Sequence, residues 1–347
     1  MEGVWSAENT TPGAIDAALR KLLAERHEDD DYAPARVLNL IAVVEQEWRG
    51  EIENRLERVG RFHPSRTIIC AVEPRRTTLD AWATLSASRH DGPVGAEERI
   101  ELAIGEKHVP NLETIVDPLL VPDLTTVAWS PHGHADAIDA LIELTDTVLI
   151  DSVQEPDPSA AVSRAHELLE DAYVVDLAWL RSAPWRERIA ATFDPPAWRH
   201  MLREISAVTV RHHPDSITSG SLILGWLASR LGWEPSAFDD EDDGLVARAK
   251  AVGRRVKMRL EVDGTMPVPG LSGLSVETAE GMQLSLDRGA GGLTARRKQR
   301  GGREVCWTVL GASRGESGIL GEGIRQALLR DPTYGPALTA ASAMLSR

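Results

Sequence analysis

The chain has 347 residues, 42% of them hydrophobic, and 53 acidic against 38 basic residues give it a net charge of −15. This length allows two domains with a core each, and the composition is typical of a globular protein in water. The negative net charge argues against nucleic acid as a partner, because binding to phosphates needs a positively charged surface. The sequence contains neither a signal-peptide pattern nor an apolar run of membrane-spanning length, so we expect a cytoplasmic protein with no membrane partner.

The first half alternates predicted helices with predicted strands. A long helix is expected at 36–58, because Val37, Ile41 and Val44 lie three or four residues apart and Gly60 is a typical stop. The other helices are predicted at 12–26, 112–120, 135–144 and 160–170, and the strands at 66–72, 79–88, 99–104, 126–129, 147–150 and 172–175. This alternation predicts an N-terminal α/β domain, residues 1–170, with a mostly parallel sheet and flanking helices.

The second half, residues 171–347, is predicted to be an α+β domain with an antiparallel sheet. Val256, Met258 and Leu260 alternate with charged residues, which is typical of a strand with one buried and one wet face. Helices are expected at 218–231, with Gly232 as the stop, and at 319–330. The acidic run 239–243 predicts an exposed loop.

Cys70 and Cys306 are the two cysteines of the chain, and both lie in apolar, strand-like runs. This setting predicts two buried and inert thiols, with no disulfide and no zinc site.

The segment 176–194 is the most distinctive part of the chain, because it concentrates tryptophan and arginine. Both residue types are enriched at the energetic centres of protein interfaces, and the arginine fork recognises carboxylates. We therefore predict that Trp179, Arg181, Trp185 and Arg186, together with Trp129, contact a protein partner. The alternative is that Trp179 and Trp185 are packing residues that hold two domains together.

A second candidate site is the turn 60–67, which joins a predicted helix to a predicted strand. Arg61, His63, Ser65 and Arg66 offer donors that suit a phosphate or a carboxylate. The alternative is a structured turn around Pro64, in which the arginines pair with local acids.

Motifs for catalysis are absent from the sequence, including the nucleophile elbow, a Cys–His dyad and the zinc-protease helix. His132 and His134 form an H-x-H pair without further recognisable ligands, and the glycine-rich stretch 311–318 fits neither the P-loop nor the dinucleotide fingerprint. We therefore assign no catalytic residue, no metal and no cofactor. The basic run 296–300 predicts either a solvated hairpin tip or a docking element for an acidic surface.

Four blocks together resemble the glucose-6-phosphate dehydrogenase assembly protein family, OpcA. These blocks are Gly60–Thr67, Val121–Trp129, Asp176–Arg186 and Gly225–Trp233, and they keep their order and spacing across most of the chain. The resemblance implies a regulator, not an enzyme, that binds glucose-6-phosphate dehydrogenase, promotes its active oligomer and supports NADPH supply through the pentose phosphate pathway. It does not identify the residues that touch the enzyme.

Two other functions stay open on the sequence. One is an enzyme of unknown reaction that binds a sugar phosphate at the arginine-rich turn, although no acid–base pair can be named for it. The other is a general scaffold without a metabolic link.

Overall fold

The computed structural model describes residues 3–30, 36–60, 64–88, 95–241, 244–289, 291–310 and 315–346. They form two compact units. The first unit comprises 1–150, 170–175 and 316–330, and the second comprises 151–169, 176–315 and 331–347. The helices are α1 (Pro12–Asp30), α2 (Arg49–Gly60), α3 (Leu112–Val116), α4 (Ala135–Leu141), α5 (Pro158–Asp171), α6 (Leu177–Arg181), α7 (Ala183–Phe193), α8 (Pro196–Arg199), α9 (Ile217–Leu231), α10 (Glu316–Leu329) and α11 (Tyr334–Leu345).

The first unit contains an eight-stranded sheet in the order β1-β4-β5-β3-β2-β6-β7-β8. Its inner pairs β5–β3, β3–β2, β2–β6 and β6–β7 are parallel, and β1–β4 and β4–β5 are antiparallel. The mostly parallel sheet predicted for the first half is therefore present. The strands are β1 (Gly3–Ala7), β2 (Leu38–Glu45), β3 (Ser65–Glu73), β4 (Asp80–Ser88), β5 (Gly95–Gly105), β6 (Thr125–Trp129), β7 (Thr147–Ile150) and β8 (Tyr173–Asp176).

The predicted helix at 36–58 is wrong in its first half. Residues 38–45 form β2, and α2 begins only at Arg49 after a short 3-10 turn, Gln46–Trp48. Seven consecutive residues of β2, Leu38 to Val44, are buried, because a central parallel strand is covered on both faces. Ile41 and Val43 join a core with α1, α3 and α4, while α2 and α10 contact each other.

The second unit contains a nine-stranded, mostly antiparallel sheet. Its order is β10-β12-β13-β9-β14-β15-β16-β17, with β11 also paired to β12, and β13–β9 is a parallel pair. One face of this sheet carries the hydrophobic core, which includes residues of α7, α9 and α11. The strands are β9 (Ile205–His212), β10 (Glu234–Pro235), β11 (Asp239–Glu241), β12 (Gly244–Ala251), β13 (Arg254–Val262), β14 (Leu271–Thr278), β15 (Gln283–Gly289), β16 (Gly292–Lys298) and β17 (Glu304–Leu310).

Three details of the second half differ from the sequence prediction. Residues 239–241 of the predicted acidic loop form the exposed strand β11, and residues 242–243 lie outside the described residues. Helix α11 was not predicted, although it packs along α9. Cys306 is exposed on the edge strand β17 instead of buried, whereas Cys70 is fully buried, and burial raises its pKa to about 12.

Candidate functional site

The tryptophan–arginine segment begins at a buried carboxylate, Asp176. Asp176 caps α6 by accepting a hydrogen bond from the Ala178 amide at 2.9 Å. It also accepts bonds from the Ser152 hydroxyl at 2.6 Å, the Ser152 amide at 3.2 Å and the Tyr334 hydroxyl at 3.2 Å. Burial is the largest influence on this group and raises the pKa of Asp176 to about 6, although the donors oppose the shift. Asp176 thus ties the start of α6 to the start of α11 inside the second unit.

Trp179 lies inside the second unit and takes part in a polar network. Its side chain is 2% exposed, and its indole Nε1 donates to Asp331 at 2.9 Å. The guanidinium carbon of Arg186 lies 3.4 Å from the ring centroid of Trp179. Arg186 also donates to the Trp179 carbonyl at 3.2 Å and to the Ser182 hydroxyl at 3.1 Å. Burial lowers the pKa of Arg186 to about 10, so the guanidinium remains charged at neutral pH.

Trp185 belongs to the core of the same unit. It is 3% exposed and lies in one cluster with Ile189 and Phe193, so these three residues share the buried face of α7. Trp129, at the end of β6 in the first unit, is buried as well. All three indoles are therefore buried, and Trp179 and Trp185 pack against residues of their own unit.

Arg181 is the most accessible of the five predicted contact residues. Its side chain is 31% exposed, and its two terminal nitrogens donate to the two carboxylate oxygens of Asp151 at 2.8 Å each. This bidentate pair presents a planar and preorganised charged group at the surface of the second unit. Among the five predicted contact residues, a direct contribution to a partner contact is left to Arg181, since the indoles face inward and Arg186 is engaged with Trp179.

The predicted anion site is divided between described and undescribed residues. Arg61 and His63 lie outside the described residues. Ser65 and Arg66 are buried at the start of β3, where the Ser65 hydroxyl lies 3.1 Å from that of Thr67. Arg66 donates to the fully buried Glu98 at 2.8 Å and to the Leu119 carbonyl at 2.9 Å. The guanidinium of Arg66 is thus engaged by an internal acid on β5, which is not an acid of the turn itself.

The order of the parallel strands in the first unit is that of doubly wound nucleotide-binding sheets, which hold a dinucleotide where the strand order reverses. Here the reversal lies between β2 and β6. Strand β2 ends in Glu45, and the turn after it carries Gln46 and Glu47 in place of a glycine-rich loop. A carboxylate oxygen of Glu45 lies 3.2 Å from the Nε2 atom of His134. Carboxylates at this position repel a pyrophosphate, so these residues do not fit a dinucleotide.

The H-x-H pair takes part in local contacts near this turn. The ring of His132 stacks on Trp48 with the centroids 4.9 Å apart, and burial lowers the pKa of His132. Among the described residues, no group of three or more His, Cys, Asp or Glu side chains could hold a metal ion. The glycine-rich stretch 311–318 falls partly outside the described residues, which omit 311–314.

The sequence did not reveal the residues that complete the network around Trp179, namely Asp331, Tyr334 and Ser152. Asp331 accepts bonds from the amide of Thr333 at 2.8 Å and from its hydroxyl at 2.6 Å, which shapes the turn into α11. The D-P-T-Y stretch at 331–334 is a turn signal, but nothing in it indicates a partner 152 residues away along the chain.

Two family models match successive parts of the chain. Residues 57–167 match the family described as the glucose-6-phosphate dehydrogenase subunit N-terminal domain, and residues 172–338 match the corresponding C-terminal domain. The chain belongs to this OpcA family. The resemblance drawn from the four sequence blocks is thereby confirmed.

Curated cyanobacterial relatives carry the name "putative OxPP cycle protein OpcA". The protein of Synechococcus elongatus is 25% identical over 65% of this chain and 51% of its own length. That of Nostoc punctiforme is 33% identical over 37% of this chain and 28% of its own length. The chain thus spans about half of these relatives or less.

A solved structure of apo scyllo-inositol dehydrogenase from Lactobacillus casei covers 90% of this chain and 96% of its own, with 11% identity and a TM-score of 0.46. A likeness at this level carries no argument about function.

Within the part of the chain that the structure describes, no helix is both long and apolar enough to cross a membrane.

Proposed function

We propose that the chain is a non-catalytic regulatory subunit that binds glucose-6-phosphate dehydrogenase and raises its activity, and so supports NADPH supply by the oxidative pentose phosphate pathway. The observation that carries this proposal is the pair of family matches, which cover 57–167 and 172–338 and are both named for a subunit of that enzyme. A regulator of this kind acts by binding the active state of the enzyme more tightly than the inactive one.

The structure favours a bracing role for the buried part of segment 176–194. Trp179, Arg186 and Asp331 lock α6 and α7 against the start of α11, and the Arg181–Asp151 pair lies at the resulting surface. We propose that this pair contributes to the contact with the enzyme, because a rigid support lowers the entropy cost of binding.

The alternative function, an enzyme acting on a sugar phosphate, relied on Arg61 and Arg66 as phosphate donors. Arg66 is paired with the buried Glu98, which favours an internal structural role for it. Among the described residues we identify no acid–base pair for such a reaction. We therefore propose the regulatory function alone.

The test combines the purified chain with the glucose-6-phosphate dehydrogenase of the same host and follows NADPH formation. A saturable rise in the rate supports the proposal, and formation of product by the chain alone supports the enzyme alternative. Absence of both binding and activation contradicts the regulatory function. The Arg181→Ala variant should weaken binding, whereas Arg20→Ala, which removes an exposed arginine paired to Asp16 on α1, should not.

A further inference from the structure

The nine-stranded sheet of the second unit has one face that is not buried. Val208, Met258 and Leu274 point into the core on the other face, and all three are buried. On β9, β13 and β14 the residues that alternate with the core residues are part-exposed or exposed, except Gly273, which the Arg211 side chain covers. We call this surface, opposite the core, the open face. One row of it crosses six paired strands through Arg259, Thr209, Ser275, Ser285, Arg296 and Cys306.

Short hydroxyl side chains form a row in the middle of the open face, next to an ion pair between Arg211 and Asp287. Thr209, Ser275 and Ser285 lie side by side on β9, β14 and β15, and Arg296 continues the row on β16. The hydroxyl groups can make hydrogen bonds to an incoming surface without holding it far from the strands. A row of short side chains of this kind allows another protein to approach the strands closely.

The size of the open face suits a specific protein contact. Seven strands at about 4.8 Å spacing, with about 20 Å of strand length each, give roughly 600 Å². A standard interface buries about 800 Å² on each partner. The open face therefore supplies most of the area that a stable complex needs.

Charged residues flank the row of hydroxyl side chains on both sides. Arg248, Lys257 and Arg259 gather around Glu241 on one side, and Arg296 and Lys298 lie on the other side. Basic side chains outnumber acidic ones on this face, although the chain as a whole has a net charge of −15. Such a reversal of local charge is complementary to an acidic surface, and it disfavours pairing with the same face of a second copy.

We propose that the open face is the surface that receives the dehydrogenase, through an acidic and rather flat patch of that enzyme. The inference rests on the proposed function for the identity of the partner. The inference adds where on the chain the main contact lies, because the inward-facing tryptophans cannot form it. Of the two roles open for the basic run 296–300, it favours the docking element.

The first test introduces charge at the centre of the open face. The double variant Thr209→Glu/Ser285→Glu should weaken binding to the dehydrogenase by about tenfold or more, and the matched variant Thr209→Lys/Ser285→Lys should bind at least as well as the wild type. Lys21→Glu on α1 changes the net charge by the same amount away from the face and serves as the control. Circular dichroism and unfolding curves check that each variant is folded.

The second test uses Cys306 as a natural probe and needs no substitution. Cys306 is exposed on the open face and Cys70 is fully buried, so a maleimide should label Cys306 in the folded chain. Saturating dehydrogenase should slow this labelling, as measured on the Cys306 peptide by mass spectrometry. Bovine serum albumin, which is an acidic protein, should not slow the labelling.

The outcomes separate this inference from the proposed function. If the wild type does not bind the dehydrogenase at all, the proposed function fails. If the wild type binds but the Glu variant binds equally well and Cys306 labelling is unchanged, the inference fails and the function stands. If the Glu and Lys variants lose binding equally, the partner surface is not acidic and the inference fails. The inference also fails if sedimentation shows that the chain alone self-associates and Cys306 is protected from labelling in the same samples.

Discussion

The guanidinium of Arg186 lies over the indole of Trp179, with its central carbon 3.4 Å from the ring centroid, inside the second unit. A desolvated cation–π pair is worth about 2 kcal/mol, more than an exposed one. Asp331 is shared by the two side chains, because it accepts the indole N–H at 2.9 Å and lies 3.9 Å from a terminal nitrogen of Arg186. Residue types that are common at interfaces thus stabilise the fold itself here.

Asp331→Ala is expected to destabilise the second unit more than Trp179→Phe does. The phenylalanine variant loses one indole hydrogen bond and part of the ring, at a cost of about 1–2 kcal/mol. The alanine variant leaves the charge of Arg186 buried without its nearby carboxylate, at a cost of about 3 kcal/mol. Urea unfolding of both single variants and of the double variant measures the coupling, and strictly additive effects would contradict a shared network.

The stability of the second unit should depend on pH through Asp176. Its pKa is about 6 in the folded chain against an ordinary value of 3.8, so the folded state binds a proton more tightly than the unfolded state. Stability from this group is therefore fully present below pH 4 and is lost as the pH rises to about 6, by up to about 3 kcal/mol.

The Asp176→Asn variant tests this dependence because it keeps the shape of the side chain without the titration. The difference in unfolding free energy between variant and wild type, measured in urea at pH 4 and pH 7.5, should shift in favour of the variant by about 1–3 kcal/mol at the higher pH. In this difference, the pH-dependent contributions of the ionisable groups that both proteins share cancel. An unchanged difference would mean that Asp176 titrates in its ordinary range.

Most elements were predictable because their hydrophobic period matches their structure, as in β13. The stretch 38–44 was not, because a strand buried on both faces is apolar throughout, and such a run also contains every helical spacing. The site was predictable in composition but not in orientation. Sequence locates Trp179 and Arg186 in one segment, yet only the fold brings Asp331 and Tyr334 against them and turns the indoles inward.

Gly225 should be intolerant of any side chain, since α9 and α11 pack closely there. A Cβ atom at Gly225 would lie 2.2 Å from the carbonyl oxygen of Ala337 and 2.9 Å from the amide of Ala341, and backbone atoms cannot rotate away. Gly225→Ala is expected to cost about 3 kcal/mol or more through displacement of α11.

Gly220→Ala on the same helix is the matched control for Gly225→Ala. Its new Cβ would meet the end of the flexible Leu260 side chain at 2.8 Å, which can move aside. We expect a smaller loss, about 1 kcal/mol, from thermal unfolding of the two variants side by side. Equal losses would show that α11 shifts as easily as a side chain.

Arg66 should act as a structural residue of the first unit and not as an anion receptor. Glu98 is fully buried and depends on Arg66 and Arg36 for its pairing, so Arg66→Ala is expected to cost about 3 kcal/mol. Arg36→Ala should cost less, because the Arg36 side chain is 19% exposed and water can replace part of the contact.

Added inorganic phosphate distinguishes the structural role of Arg66 from an anion-binding role in thermal unfolding. We expect the same small shift of the midpoint in the wild type and in Arg66→Ala, whereas a phosphate-dependent gain confined to the wild type would restore Arg66 as part of an anion site.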